Sequence, residues 1–564
     1  MNKEKIRNIT KKEYHLPYSE RIMRVINAFS ITEKVIFFFF VVVFVVSGIT
    51  LLWQVNKSFL VEVPDYGGTL TEGIVGSPRF INPILSVSDI DRDLTNLIYS
   101  GLLRARPDGS LILDLAESYT ISNDSLTYTF VLKNDIYFHD GAKVTVDDIL
   151  FTIERAQDSG LKSPRKTNWE GVKSEKIDER TISFTLRQPY SPFIQNATLG
   201  ILPKHIWNKT SIEEFPWSQF NIKPIGTGPY KIDNIIYTGS GLPSEYRLVA
   251  NNKYTLGKPY ITNLIIKAYQ NEKDLVEGYK KGDIESLHSI ETKQLPALRV
   301  KQEELILAPL PRVFGVFFNQ NQNKIFTDKR VAQAINLAVD KEEIINEVLH
   351  GYGTVINDPI PPNAIVYPEL EKEKNITREE KLKIAEDILA KAGWKLGKSG
   401  YLEKTITEKG KKMTTELQFS ISTGNAPELA QAAELIRQDL AKIGMRVEIK
   451  TFEIGNLNQD IIRPRKYDSL LFGQIVGHES DLVAFWHSSQ RLDPGLNVAM
   501  YANARVDKIL EDAFVTVDEE KRIKKYVDFN QEIKKDMPAV FLYSPNLIYA
   551  VSKDLGGFAI DRLT

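Results

Sequence analysis

The side chains that could do chemistry in this 564-residue chain are dispersed, and the patterns that would gather them into a catalytic centre do not occur. "LGKSG", Leu396 to Gly400, spells the end of a phosphate-binding loop. Gly393 stands one residue too near for G-x-x-x-x-G-K-[ST], however, and neither an apolar strand before it nor a helix pattern after it completes the motif. A surface turn is expected there. Ser163 and Lys166 form an S-x-x-K without the S-D-N or K-T-G that would accompany it in an acyl-transfer enzyme. There is no G-x-S-x-G and no H-E-x-x-H. The seven histidines are scattered; His478 and His487, the nearest pair beyond the N-terminal region, lie nine residues apart and lack the helix-face spacing of metal ligands. Cysteine is absent, which excludes thiol catalysis, thiolate-bound metal and a lipidated cysteine. No catalytic residue, no metal and no cofactor is expected.

Two stretches suit binding better than catalysis. "FGQIVGHESDLVAFWHSSQ", Phe472 to Gln490, has glycines that let backbone approach a ligand, Glu479 and Asp481 to meet a cation, and Phe485 and Trp486 to wall an apolar pocket. Its plainer reading is a loop with solvated carboxylates and a core tryptophan, and for Trp486 taken alone the core reading is the stronger. "SPRFINPIL", Ser77 to Leu85, sets Arg79, Phe80 and Asn82 between two prolines.

The elements that must hold these stretches are α/β. "LTYTFVLK", Leu126 to Lys133, alternates Leu126, Tyr128, Phe130 and Leu132 with polar or small neighbours, the period of a half-buried strand. In "TVDDILFTIERA", Thr145 caps a helix with Asp148 three residues on. Further along, "TTELQFSIST" predicts a strand, "NAPELAQAAELIRQDLAKIG" a helix capped by Asn425 and stopped by Gly444, and "MRVEIKTF" a second strand. Strand, helix, strand within about 35 residues is a βαβ unit with a parallel pair. Thr377 with Glu380, and Asp340 with Glu343, begin two more amphipathic helices.

Before all of this stands "VIFFFFVVVFVVSGITLLW", Val35 to Trp53, with no charged side chain. A helix of that length rises about 28 Å, close to the ~30 Å hydrocarbon layer of a bilayer. Eight Lys and Arg precede it against four acids, and Lys57 is the single base just beyond it, so residues 1–34 are expected in the cytoplasm and the main body outside. The run exceeds the apolar core of a cleavable signal and lacks a small-x-small site after it, which predicts a retained anchor at the cell membrane. The roughly 500 residues that follow suffice for two to four lobes. They are mildly acidic, which argues against nucleic acid as a partner.

Landmarks along this outer body occur in the order seen in one family. "SPRFINPIL", "YSGLL", "DLAESY", "FHDGAKVTVDD", "GTGPYKI", "FFNQNQNKIFTDKRVAQAINLAVDKEEII", "AEDILAKAGW", "NVAMYANARVDKILEDA" and "MPAVFLYSPN" together resemble the extracytoplasmic solute-binding proteins of family 5, the dipeptide- and oligopeptide-binding type of ABC importers. The chain departs from the pattern at Tyr119 for a usual Trp, at Asp114 for a common Pro, at Val146 for a common Ala, and in a ligand loop that survives as "HESDLVAFW". The resemblance implies a two-lobed, Venus-flytrap α/β fold. Lobe one would take residues 66–310 with 535–564, including an inserted small domain near 108–205, and lobe two would take 311–534. It implies a peptide or other small solute held between the lobes and handed to ABC permease subunits, with no enzyme activity. Asp481, with Glu479 in support, would meet the ligand's ammonium group, and Phe80, Asn82, Gln474, His478 and Trp486 would line the cleft. Family members also carry nickel complexes, haem, oligosaccharides and opines, so ligand type stays open. A ligand sensor and an anchored extracellular hydrolase are the rival functions.

Overall fold

The computed structural model describes residues 19–59, 63–107, 109–288, 290, 292–298, 305–362, 376–408, 411–477, 479, 481–552 and 555–557. The chain forms two compact units, Met1–Asp65 and Tyr66–Thr564. In the first, a ten-residue helix, Ser19–Ala28, is followed by a 29-residue helix, Ile31–Phe59. Of the latter, Ile31–Lys57 contains an 18-residue window with a mean hydropathy of 3.0 and is long and apolar enough to cross a membrane. It starts before the apolar run because Ser30 caps it: the Ser30 N–H donates to the Glu33 carboxylate at 2.8 Å, and the Glu33 N–H donates back to Ser30 Oγ at 3.4 Å.

The second unit is organised by one large mixed sheet, twelve-stranded among the described residues. From one edge to the other its path runs Arg446–Phe452, Gln418–Gly424, Ser469–Ile475, Arg312–Phe318, Ala539–Ala550, Ser286–His288, Gly67–Val75, Ile261–Tyr269, Pro243–Ala250 and Tyr230–Tyr237. Leu305–Pro309 and Gly353–Val355 also pair with Ala539–Ala550. That long strand serves two neighbourhoods in succession. Its first residues pair antiparallel with Phe314–Phe317, and its last, Asn546–Ala550, with Leu305–Pro309. Between these registers the chain passes from one set of elements to the other at Leu310–Pro311 and returns at Ser544–Pro545. The two passages are bonded together: the Leu310 N–H donates to the Pro545 carbonyl at 2.8 Å, and the Ser544 hydroxyl donates to the Leu310 carbonyl at 2.7 Å.

The hydrophobic cores divide at the same place. One draws on residues from Ile74 to Ile266, and a neighbouring cluster joins Leu275–Leu298 to Ile548 and Ala550. Two others use residues between Val313 and Tyr543. Within residues 108–205, an antiparallel sheet of Ala116–Ile121, Thr127–Leu132, Thr181–Thr185 and Lys173–Lys176 packs against the first core. Its strand Thr127–Leu132 buries Tyr128, Phe130 and Leu132 and half-exposes their neighbours, as the alternation predicts.

The βαβ unit forms as read: Gln418–Gly424 and Arg446–Phe452 are parallel neighbours, in register from Gln418 opposite Arg446 to Gly424 opposite Phe452. Two details differ. The helix begins at Pro427 with Ala426 as its cap, because proline's fixed φ and missing N–H suit the first helical position; the Asn425 N–H goes to the Phe452 carbonyl instead. The strand is also buried on both faces, so Ser420 and Ser422 are covered along with Phe419 and Ile421. Ser420 tolerates this because its N–H and hydroxyl both donate to Asp468, at 2.9 and 3.0 Å.

Two of the sequence landmarks prove to be one packing device. Gly226 and Gly228 of "GTGPY" back onto the end of the helix Asp89–Ile98, where a Cβ on Gly226 would lie 2.1 Å from the Ile98 carbonyl oxygen. His139 of "FHDG" clamps the same turn. Its N–H donates to the Gly226 carbonyl at 2.8 Å, its Nδ1 accepts the Gly226 N–H at 3.3 Å, and its Nε2 lies 3.1 Å from the Gly228 carbonyl. This network assigns a neutral ring protonated on Nε2, and burial pushes its pKa down to about 4 from an ordinary 6.5.

Two outcomes are expected. Gly226→Ala presses a methyl against backbone that has no rotamer to yield, and should lower unfolding stability by about 1–3 kcal/mol, measured by urea titration. For His139 the unfolded chain binds more protons between the two pKa values. Its contribution is therefore complete above about pH 6.5 and is lost as pH falls toward 4. The slope of stability against pH in that window should flatten in His139→Gln.

Candidate functional site

The loop Ser77–Leu85 leaves the strand Gly67–Val75 and is held by acids and amides behind it. Asp91, in the next helix, accepts the N–H groups of Arg79 and Phe80 at 2.8 and 3.0 Å, and the Ile81 N–H donates to the Asn221 carbonyl at 2.8 Å. Asn82 is fully buried: its Oδ1 accepts the Ile84 N–H and its Nδ2 donates to Asn221 Oδ1, both at 3.0 Å. It shapes the loop from inside and presents no group at a surface. Phe80 is half-buried, with the exposed Arg79 guanidinium 4.9 Å from its ring centroid. Of the residues expected here, then, Phe80 is accessible and Asn82 is not.

The second stretch begins beside the crossing between the two sets of cores. Gln474 pairs in the sheet with Val313 and is only 2% exposed, and its Oε1 has no hydrogen-bond partner among the described residues. Two residues later the Val476 N–H donates to the Pro311 carbonyl at 2.8 Å. His478 lies outside the described residues. Glu479 is engaged: Arg522 Nε donates to its Oε2 at 2.6 Å, the two side chains being 13% and 15% exposed, while Arg522 Nη1 also donates to the Val517 carbonyl at 3.0 Å. Asp481 is half-buried and opens the short helix Asp481–Trp486. Trp486 is 1% exposed and sits among Phe317, Phe541, Tyr501 and Phe529, with ring centroids 5.8–6.5 Å away, so the core reading holds.

Two contacts escaped sequence reasoning. Arg522 carried no local signal, because its partner is 43 residues distant. Tyr190 stacks on Phe514 with centroids 4.7 Å apart, and the Ser191 N–H donates to the Phe514 carbonyl at 2.9 Å, which ties the residue 108–205 region to the helix Ala504–Val515.

The remaining polar clusters hold structure together. Ser489 Oγ lies 2.8 Å from His487 Nδ1, and His487 Nε2 lies 3.4 Å from Glu511, the order of a nucleophile, a base and an acid. The same Nδ1 accepts the Ser489 N–H at 3.2 Å, however, so the ring is capping the turn that follows. Tyr549 donates to Glu72 at 2.8 Å and His288 lies 3.5 Å from it, joining three strands; burial pushes the Glu72 carboxyl above its usual range. A groove of about 590 Å³ between Gln320, Asp328, Lys329, Arg330, Tyr501 and Asp536 contains none of the expected ligand residues; in it Arg330 forks onto Asp328 at 2.8 and 2.7 Å, and Tyr501 donates to Asp536 at 2.7 Å. No cluster of three or more His, Asp or Glu suited to a metal occurs among the described residues.

Two sets of cores joined through paired crossing segments, with a carboxylate-bearing loop starting at the crossing, define a two-lobed solute-binding protein. The profile of the bacterial extracellular solute-binding proteins, family 5 (middle region), matches residues 110–491, and the chain belongs to that family. It is 31% identical over 504 residues to the oligopeptide-binding protein AppA of Bacillus subtilis, covering 88% of this chain and 89% of that one. The structure of AppA from Bacillus subtilis in complex with a nonapeptide superposes with a TM-score of 0.61 at 30% identity, covering 88% of this chain and 97% of the other. NikZ from Campylobacter jejuni, in complex with Ni(L-His), superposes with a TM-score of 0.62 at 30% identity, covering 88% and 96%.

The Glu479–Arg522 pair makes a prediction of its own. Removing one member of a largely buried ion pair costs up to about 3–5 kcal/mol, and less where water reaches it. Arg522→Met should destabilise the protein by about 2 kcal/mol or more in urea unfolding, and adding Glu479→Met should restore part of that loss.

Proposed function

We propose that this protein captures extended peptides between its lobes and delivers them to the permease of an ABC importer, held at the cell membrane by the helix Ile31–Phe59, with residues 1–34 in the cytoplasm. The observation that carries this reading is the bonded crossing at Leu310–Pro311 and Ser544–Pro545, with Val476, at the foot of the Asp481 loop, bonded to Pro311. Rotation about such a crossing opens and shuts the lobes, and a ligand touching both faces stabilises the shut form. The AppA relative, whose structure is in complex with a nonapeptide, supports peptide as the ligand class. We take lobe one as residues 66–310 with the C-terminal strand from about Ser544 onward, and lobe two as the residues between, following the division of the cores.

In this reading Asp481 receives the peptide's ammonium group, and Phe80 contributes an apolar contact. Gln474 supplies its unpaired Oε1 as an acceptor near the crossing once the lobes move. Glu479 acts through Arg522, holding the loop's geometry, and Trp486 anchors the helix that carries Asp481. Main-chain pairing with an extended ligand is indifferent to side chains, which suits a carrier of many sequences. Such a carrier returns its ligand unaltered and needs no catalytic group.

The test is calorimetric titration of short mixed peptides into the full chain in detergent or nanodiscs, with mass spectrometry of the peptides afterwards. Binding with intact peptides is expected; no heat and no melting shift, or cleaved peptides, would refute the reading. A charge-assisted bond contributes about 1.5–3 kcal/mol, so Asp481→Asn should weaken peptide binding roughly 10- to 150-fold.

A further inference from the structure

The helix Ser19–Ala28 has a built relation to the longer helix that follows it, and its composition says what it faces. At ~100° per residue, positions 22, 25 and 26 fall within one arc of about 100°, with 23 beside it, and these are Ile, Val, Ile and Met. Positions 20, 21, 24 and 27, which are Glu, Arg, Arg and Asn, fall outside that arc. Met23 and Val25 are 63% and 57% exposed and Ile26 is half-buried, so part of this apolar side is open to solvent.

The break between the helices is held from both sides. Glu33 and Ser30 cap the second helix reciprocally, the Phe29 and Phe37 rings meet edge to face at 5.9 Å, and Lys34 Nζ reaches back 3.3 Å to the Asn27 carbonyl near the end of the first helix. Depth follows from length. The uncharged run Val35–Trp53 alone fills about 28 Å of the ~30 Å hydrocarbon layer. Ser30–Lys34 therefore sit at headgroup level, and a break of two residues keeps the first helix at that level too. Residues 1–34 carry eight basic side chains against four acidic ones.

We propose that Ser19–Ala28 lies in the headgroup layer of the bilayer that holds the anchor, with the arc of positions 22, 25 and 26 on its acyl-chain side and the basic positions 21 and 24 on the side that meets anionic lipid. This rests on the reading of Ile31–Phe59 as a retained anchor. It assigns the N-terminal segment a function besides topology: it orients the anchor and selects lipid.

The absence of native cysteine makes the test direct. Single-cysteine variants of the full chain at Ile22, Arg24, Ile26, Asn27 and Val42 are labelled with a polarity-sensitive fluorophore and reconstituted into vesicles of phosphatidylcholine, with or without phosphatidylglycerol. With phosphatidylglycerol, probes at 22 and 26 should shift to the blue and resist acrylamide, while probes at 24 and 27 stay quenchable. Arg21→Glu with Arg24→Glu should return position 26 to water without moving position 42. Quenching at 22 and 26 equal to that at 24 and 27, with position 42 shielded, would overturn this inference and leave the anchor standing. The same protection without anionic lipid would overturn the lipid selection. A cell-isolated chain starting beyond residue 53 would overturn the anchor and this inference together.

Discussion

The structure depends on one small set of hydrogen bonds, those between Leu310 and the Ser544–Pro545 peptide. Two halves with separate hydrophobic cores share a single sheet, and the sheet stays continuous because Ala539–Ala550 belongs to both. At the changeover the ladder is thinned by chemistry. Pro309, Pro311 and Pro545 have no N–H to donate, and the ladder that Ala539–Ala550 makes with Leu305–Pro309 and then Phe314–Phe317 is interrupted between them. On the Leu310 side one backbone bond and one serine hydroxyl replace it, while Gly353–Val355 pairs with Tyr543–Pro545. Motion concentrates where pairing changes between two well-packed bodies, and the carboxylate loop is attached to that region through Val476 and Pro311.

Buried acids do most of the positioning. Asp91 collects the N–H groups of the Arg79–Phe80 turn. Asp148 accepts from Thr145 and, at 2.8 Å, from the Lys204 N–H, tying a helix start to a distant loop. Asp439 gathers Arg378, Lys442 and the Asp340 N–H at 2.7–2.8 Å. Asp114 is fully buried, and Arg104 and Thr255 both donate to it. A buried carboxylate left alone is costly, but one that accepts two or three N–H or O–H groups stiffens the loops it joins. In a protein without disulfides this network and the cores keep each half rigid.

Much of the fold was legible because its signals are local. Capping pairs such as Thr377 with Glu380, the alternation of Tyr128, Phe130 and Leu132, and the βαβ helix that stops before Gly444 each depend on spacings of two to four residues, which a one-dimensional pattern preserves. The family landmarks were legible by order, yet their physical meaning was not: "FHDG" and "GTGPY" lie almost 90 residues apart and meet because His139 must grip a turn too crowded for a Cβ. The candidate site was the least legible part. Glu479 and Asp481 look equivalent in sequence, two carboxylates two residues apart, and burial separated them by giving one to Arg522.

By itself the sequence determined the long apolar span, the α/β grammar, the absence of thiol chemistry and the membership of a binding family, all properties carried by neighbouring residues or by overall composition. Tertiary structure alone decided which polar residues stay accessible and which hold the scaffold. Asn82 and Trp486 passed from cleft to core, and Arg522, Tyr190 and Phe514 emerged as contacts, because burial and partnership depend on residues tens to hundreds of positions away whose proximity no local spacing encodes.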